Sequence, residues 1–187
     1  MNNTMNKTLT LYLLRHGITE SGECFLGKTD ARLTDKGFHQ MYAALHHANQ
    51  EYQQIYSSPL QRCSSFAKAY YPNNVINVDE CIAEYDFGDW DGCKAAHIYE
   101  QSPEQLAKFW EDPMANPPPN AEKLAAFMQR VNSFIERLQS KDEAKVLLIT
   151  HGGVIRALMA LCQKRPFQSM LSQPVKHGDL IRLDWTF

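Results

Sequence analysis

The sequence lacks both a long apolar run and an excess of charge of either sign. A membrane-spanning helix needs roughly 18 consecutive apolar residues, whereas the stretch Leu9–Leu14 contains Thr10 and stops at Arg15. This stretch is also too short for the core of a signal peptide. Lys and Arg total 19 and Asp and Glu total 21, so there is no basic field to hold a nucleic acid. We therefore expect a cytoplasmic protein that binds neither nucleic acid nor membranes.

The five cysteines lack the C-x-x-C spacing that is typical of zinc sites and redox pairs. No cysteine lies six positions before an arginine, and no G-x-x-x-x-G-K-[ST] sequence is present, so neither a cysteine-based phosphatase nor a P-loop nucleotidase is indicated. The adjacent His46 and His47 cannot share one helix face, which argues against a metal pair there. The sequence predicts free thiols in a reducing compartment, with no metal and no cofactor.

What the sequence does contain is ordinary globular composition, with 44% apolar and 21% charged residues over 187 positions. This length predicts one folded domain that covers residues 1–187. Short apolar or β-branched runs, each bounded by turn residues, predict five strands. These runs are Leu9–Leu14, Gln54–Ser57, Val75–Val78, Lys145–Thr150 and Leu180–Trp185.

Helical signals alternate with these strands and predict an α/β fold, with a mostly parallel central sheet in a three-layer α/β/α arrangement. Apolar periodicity or a cap predicts helices that begin after Thr34, at Ser58-Pro59, at Ser102-Pro103 with Gln105 at the capping-box position, at Ala121 and at Gly152-Gly153. Residues 81–121 break the alternation with aromatic and acidic clusters, one short helix and a triple proline. We interpret this segment as a lid-like excursion over the carboxyl ends of the strands, with the prolines as a stiff connector.

Two predicted strands end in a histidine followed by glycine. Leu9–Leu14 leads into Arg15-His16-Gly17, and Lys145–Ile149 leads into Thr150-His151-Gly152-Gly153. Because ligands bind at the carboxyl ends of strands in open α/β sheets, both imidazoles are expected at one rim. Arg62 is expected in the first turn of the helix after Ser58-Pro59, where the helix dipole favours an anion. Glu84 begins a carboxylate-rich stretch above the same rim.

Such a set of side chains can handle a phosphoryl group without a metal ion. Two arginines can hold its oxygens, neutral imidazole is a competent nucleophile, and a carboxyl can serve as acid and then as base. Asp86 competes with Glu84 for the carboxyl role. Taken alone, Arg62 could be a surface residue, and Glu84 could be a helix-capping or solvent-facing carboxylate. His177-Gly178 precedes the last strand and is interpreted as a turn, and Trp90 and Trp110 as packing or lid residues.

Taken together and in order, these motifs resemble the histidine phosphatase superfamily, in its phosphoglycerate-mutase-like branch. The resemblance runs from about Leu9 to Trp185 and rests on four stretches: Leu13-Leu14-Arg15-His16-Gly17, Ser57-Ser58-Pro59-Leu60-Gln61-Arg62, Glu84 within Ile82–Gly92, and Thr150-His151-Gly152-Gly153. It implies a metal-independent phosphatase that acts on a small-molecule phosphomonoester, as a monomer or a homodimer.

The resemblance also assigns roles to individual residues. It implies that His16 is the nucleophile that becomes phosphorylated, that Glu84 is the proton donor and that His151 is a second catalytic histidine. Arg15 and Arg62 match the phosphate-binding arginines. Thr19, Gly27 and Gly152 are expected among the substrate-binding positions.

Two positions depart from the family pattern of Arg-His-Gly-Glu-Thr followed two residues later by Asn. Ile18 replaces the Glu, and Gly22 stands where the phosphate-contacting Asn is expected, although Thr19 is kept. The pocket is therefore expected to lose one polar contact, which backbone N–H groups of the Gly22–Gly27 loop could replace.

Within the superfamily, the stretches expected at the mouth of the site resemble α-ribazole phosphatases of cobalamin assembly. They are Cys24–Asp30 with Leu33-Thr34, Ser58–Cys63, Phe87–Gly92, Phe109–Pro113 and the partial match Pro119-Asn120-Ala121-Glu122. This likeness implies removal of the 5′-phosphate from α-ribazole 5′-phosphate or from a cobalamin 5′-phosphate. The alternatives are a phosphoglycerate-mutase-like phosphotransferase and a non-catalytic module that binds a phosphorylated ligand.

Overall fold

A five-stranded sheet organises the part of the chain that the computed structural model describes, residues 8–141 and 144–186. The strands lie in the order β3-β2-β4-β1-β5, with β5 antiparallel to β1 and the other pairs parallel. Their bounds are Thr8–Arg15 (β1), Gln54–Ser57 (β2), Ile76–Val78 (β3), Lys145–Thr150 (β4) and Leu180–Thr186 (β5). The predicted strands and the mostly parallel sheet are confirmed, with ends that differ by at most one residue.

Helices cover both faces of this sheet. They are Asp35–Ala48 (α1), Gln61–Tyr70 (α2), Ala95–Gln101 (α3), Pro103–Glu111 (α4), Leu124–Gln139 (α5) and Gly152–Gln163 (α6). Alternate side chains of the buried strands point to opposite faces. Leu11 and Leu148 pack with α5 and α6 in one apolar core, whereas Leu14 and Ile149 pack with α1 and α2 in another. The predicted three-layer arrangement is confirmed.

The starts of α2 and α5, and the cap of α4, differ from their predictions. Helix α2 begins at Gln61, so Ser58 is not its cap. The Ser58 hydroxyl instead accepts from the Leu60 N–H at 3.3 Å and lies within hydrogen-bond distance of His151. Helix α4 does begin at Pro103, but the Ser102 side chain makes no capping hydrogen bond, so the predicted capping box is wrong. Helix α5 begins three residues after Ala121, whose N–H is bonded to the Pro118 carbonyl in a turn.

The segment 81–121 contains two α-helices instead of the single one predicted. Helix α3 was missed because only Ile98 of its seven residues is buried, which is too little to produce an apolar stripe. Ile98 joins Trp90, Leu106 and Phe109 in a small core that is separate from the two cores of the sheet. A hydrogen bond joins the triple proline to an earlier part of the same segment, with the Pro119 carbonyl accepting from the Asp89 N–H at 2.9 Å.

The start of α1 packs directly against the turn that follows β1. Thr34 caps the helix, its hydroxyl accepting from the Gly37 N–H at 2.9 Å and donating to the Ile18 carbonyl at 3.1 Å. A Cβ at Gly37 would collide with that Ile18 carbonyl, and a Cβ at Gly17 would collide with the carbonyl of Gly37. Two glycines therefore allow the helix to fix the backbone directly after His16.

We expect Gly37→Ala to destabilise the protein, although Gly→Ala in an open helix stabilises by roughly 0.5–1 kcal/mol. The added methyl group has only backbone to displace, and such overpacking costs about 1–3 kcal/mol. Urea unfolding of this variant and of Lys36→Ala, on the exposed neighbouring residue, measures the effect. A Gly37→Ala protein as stable as the parent would show that the close backbone contact is not required.

Candidate active site

The two histidines that follow β1 and β4 meet because those strands are neighbours in register. Arg15 pairs with Thr150, and the His16 N–H donates to the Thr150 carbonyl at 2.9 Å. The ring centroids of His16 and His151 are 5.2 Å apart, and both side chains are buried. The structure therefore brings these two predicted residues together at the carboxyl edge of the sheet.

The His16 ring is held in the form that a nucleophile requires. Its Nδ1 lies 2.8 Å from the Gly17 carbonyl, which can only accept, so Nδ1 carries the proton and Nε2 keeps its lone pair. Burial, together with the nearby positive charge of Arg62, lowers the pKa of His16 well below its ordinary value. The His16 ring is therefore neutral at pH 7.

His151 is held as the opposite tautomer. Arg62 Nε donates to His151 Nδ1 at 3.3 Å, so His151 Nε2 carries the proton and donates to the Ser58 hydroxyl at 2.7 Å. Burial and the charge of Arg62 also lower the pKa of His151 well below its ordinary value. The Cys63 sulfur lies 3.7 Å from His151 Nε2, and burial raises the pKa of this thiol to about 12.

Arg62 is fully buried and its donors are mostly committed to the protein itself. Besides His151, it donates to the carbonyls of Leu26, Gly27 and Thr29 at 2.8–3.1 Å. A guanidinium has five N–H donors, so one remains. Arg62 thus fixes the loop 26–29 against His151 and does not line the cavity described below.

Arg15 faces the cavity with part of its guanidinium unpaired. One terminal nitrogen donates to the Val175 carbonyl at 2.6 Å and the other to His177 Nε2 at 3.2 Å. Its Nε is buried and has no hydrogen-bond partner. Burial lowers the pKa of Arg15, and the nearby Glu84 opposes that shift. The Nε–H therefore has no acceptor within the described residues.

Glu84 is fixed at the cavity wall by backbone donors. Its Oε1 accepts from the Tyr85 N–H at 2.9 Å and its Oε2 from the Gly153 N–H at 3.0 Å, and a Cβ at Gly153 would collide with the carboxylate. Asp86, its competitor in the sequence, forms an ion pair with Lys28 at 2.6 Å and does not line the cavity. The geometry favours Glu84 as the carboxyl of the site.

A cavity of about 630 Å³ opens above these residues. Its floor includes Arg15, His16 and Glu84, whereas the rest of its lining is largely aromatic and apolar, with Glu23, Arg156 and Lys176 as charged exceptions. The aromatic residues of this lining are Phe25, Tyr85, Phe87, Phe109, Trp110, Phe127 and Phe167. Trp110 is 52% exposed at the mouth and its ring centroid lies 5.7 Å from that of Phe25, whereas Trp90 is buried and packs in the small core.

The remaining predicted positions divide between the cavity and the scaffold. Gly152 and Gly22 line the cavity, whereas Thr19 and Gly27 lie outside its lining. Thr19 is buried in a bridge with Leu33, and Gly27 offers its carbonyl to Arg62. The Gly22 N–H is bonded to the Thr19 carbonyl, so this N–H does not replace the contact of the missing Asn.

Two cavity residues were missed by the sequence reasoning. His177 does lie in a turn, as predicted, but its ring centroid is also 5.4 Å from that of His16, and burial lowers its pKa to about 4. The third His-Gly pair was the signal for it. Arg156 lines the cavity one helical turn after Gly152, and that i+4 spacing along α6 was the signal for it.

Within the described residues, no group of three His, Cys, Asp or Glu side chains is placed to hold a metal ion. No helix in that part of the chain is long and apolar enough to cross a membrane.

The fold and the paired imidazoles agree with a family comparison. Residues 11–186 match the model of the Histidine phosphatase superfamily (branch 1), and the chain belongs to this superfamily. Membership indicates a phosphatase, and it agrees with the resemblance stated above.

Individual relatives carry different substrate names. A Hydrogenobacter thermophilus protein named "Putative phosphoserine phosphatase 2" is 31% identical, with 81% of this chain and 77% of that one covered. The adenosylcobalamin/α-ribazole phosphatase of Salmonella typhimurium is 29% identical over 91% of this chain and 87% of its own. The crystal structure of the α-ribazole phosphatase from Shigella flexneri superposes with a TM-score of 0.81 at 26% identity, with coverages of 93% and 89%.

Proposed function

We propose that this protein hydrolyses a phosphomonoester through a phosphohistidine intermediate, with α-ribazole 5′-phosphate or a cobalamin 5′-phosphate as substrate. The observation that carries the proposal is the neutral His16 ring, whose Nε2 lone pair is free beside an unpaired Arg15 N–H and a fixed carboxyl. A neutral imidazole next to cationic groups can attack a phosphorus centre and tolerate the charge that develops on its oxygens.

In the first step, His16 Nε2 attacks phosphorus as the bond to the ester oxygen breaks. Glu84 gives its proton to the departing alkoxide, so the alcohol leaves neutral and Glu84 becomes a carboxylate. The phosphoryl group is then bound to His16, whose Nδ1–H still donates to the Gly17 carbonyl.

In the second step, Glu84 takes a proton from a water molecule, which attacks phosphorus from the side that the alcohol has left. The P–N bond breaks, inorganic phosphate is released, and His16 and Glu84 return to their starting forms. Arg15 Nε donates to the phosphoryl oxygens in both steps. His151 packs against His16 just outside the cavity lining, and it reaches the phosphoryl group by exchanging the Ser58 hydroxyl, which accepts from its Nε2–H in the free protein, for a phosphoryl oxygen.

The shape of the cavity favours an alcohol with a large aromatic part. Pockets of roughly 300–1,000 Å³ are typical for ligands of drug size, and this one has about 630 Å³ with aromatic walls. α-Ribazole carries a benzimidazole base that such walls can stack on. Phosphoserine and phosphoglycerates are small and polar and would leave these walls uncovered.

A substrate panel tests the proposal: α-ribazole 5′-phosphate, cobalamin 5′-phosphate, phosphoserine, 3-phosphoglycerate and 4-nitrophenyl phosphate, each with and without EDTA. We expect the highest kcat/KM with a substrate that bears the benzimidazole base, release of inorganic phosphate, and no inhibition by EDTA. In Trp110→Ala, KM for that substrate should rise several-fold while kcat/KM for phosphoserine stays constant. Tyr99→Ala, an exposed aromatic residue outside the cavity, is the matched control.

Each alternative gives a different result in the same panel. Transfer of phosphate between hydroxyls of phosphoglycerate without net release would indicate a phosphotransferase. Binding of the phosphorylated compounds with no turnover would indicate a non-catalytic module. A preference for phosphoserine that is insensitive to Trp110→Ala would overturn the substrate assignment and leave the phosphatase chemistry in place.

A further inference from the structure

Arg156 lines the cavity close to Arg15 and has no assigned role. It lies one turn into α6, and one of its terminal nitrogens donates to the Gln173 carbonyl at 3.2 Å. Its Nε, like that of Arg15, is buried without a hydrogen-bond partner. These two are the only arginine nitrogens among the described residues in that condition.

Both guanidinium groups face the same small volume above Gly152. A Cβ at Gly152 would lie 3.1 Å from a terminal nitrogen of Arg156 and 3.2 Å from Nε of Arg15. Glycine at this position leaves the space open between them. The volume belongs to the same cavity as His16 and Glu84.

Two half-buried cations side by side are unfavourable unless an anion joins them. Burial lowers the pKa of Arg156, and Arg156 in turn lowers the pKa of Arg15 by repulsion. Glu84 attracts both, but its two oxygens already accept from the N–H groups of Tyr85 and Gly153. An unpaired buried N–H of a charged group costs free energy that a bound oxyanion would recover.

We propose that Arg156 and Arg15 together form the guanidinium clamp that binds the phosphoryl group of the substrate. Arg62 commits four of its five N–H donors to His151 and to the loop 26–29, so one is left for the phosphoryl group. This inference deepens the proposed function and rests on it for the identity of the anion. Arginine suits the role because its planar fork can hold two oxygens of one phosphoryl group.

Calorimetric titration with inorganic phosphate tests the clamp without any turnover. We expect Arg156→Met to raise the dissociation constant for phosphate at least tenfold, and Arg156→Lys to raise it less because the charge is kept. Arg165→Met, on an exposed arginine just beyond α6, should leave it unchanged. The Tm of Arg156→Met without phosphate should be no lower than that of the parent, while its phosphate-induced rise in Tm should shrink.

Turnover measurements separate the clamp from its alternatives. In Arg156→Met, kcat/KM should fall by similar factors for 4-nitrophenyl phosphate and for an alkyl phosphate, because both present the same phosphoryl group. An unchanged dissociation constant, or a parent protein that binds no phosphate, would overturn the clamp. A loss confined to alkyl phosphates would place Arg156 on the leaving group instead. Phosphate binding that depends on Arg156 in a protein without phosphatase activity would overturn the proposed function and retain the clamp.

Discussion

His16→Ala should lower kcat for phosphomonoester hydrolysis by roughly 10³-fold or more, the scale seen when an enzyme loses its nucleophile. The reason is that, among the described residues, no other imidazole nitrogen with a free lone pair lies at the floor of the cavity. His151 Nδ1 already accepts from Arg62, and its Nε2 carries a proton. His177 Nε2 already accepts from Arg15.

The covalent intermediate gives the sharper measurement. Rapid mixing with ³²P-labelled substrate, followed by an alkaline quench, should trap label on the parent protein. Acid should release this label, as expected of phosphohistidine. His16→Ala should trap none, although its circular dichroism matches the parent. His39→Ala, an exposed histidine on α1, should trap label normally. A His16→Ala protein that still hydrolyses substrate near the parental rate would contradict the mechanism.

Glu84→Gln should affect substrates according to their leaving groups. For an alkyl phosphate, kcat should fall about 10²–10⁴-fold, the usual contribution of a general acid or base. For 4-nitrophenyl phosphate, the leaving group needs no proton, so the first step should persist while the water-dependent step slows. The expected result is a stoichiometric burst of nitrophenol and an accumulated phosphoenzyme, measured by stopped-flow absorbance.

Two comparisons make the Glu84 prediction specific. Asp86→Asn removes a carboxylate that is paired with Lys28 outside the cavity. This variant should show no burst, and its kcat should stay within about twofold of the parental value. In the parent, the lowered pKa of His16 keeps that ring neutral at pH 7. Equal loss on both substrates, with no burst, would show that Glu84 is only structural.

The parts of the site that the sequence could predict are those placed by strand periodicity. His16 and His151 follow buried strands directly, so the ends of β1 and β4 fix where they stand. Neighbouring parallel strands then require the two residues to be adjacent. The family resemblance added Glu84, whose place depends on a loop contact with Gly153 that no periodicity describes.

The parts that could not be predicted depend on contacts between distant segments. The sequence predicts that Arg62 binds phosphate, and nothing in the sequence shows that carbonyls of the loop 26–29 accept from three of its five N–H donors. The sequence predicts a turn at His177, but a His-Gly pair that precedes a strand does not indicate where the imidazole ring points. Helix α3 was missed because a short segment that buries one apolar side chain has no detectable stripe.

The thiol behind His151 has a consequence for how this centre meets oxidising conditions. Cys63 is fully buried, and its pKa of about 12 keeps it in the protonated form, which reacts poorly with peroxide. The proposed reacting atoms are an imidazole nitrogen and a carboxylate oxygen, and neither undergoes the successive oxidations of a cysteine sulfur. The proposed chemistry therefore offers peroxide no catalytic thiolate to oxidise.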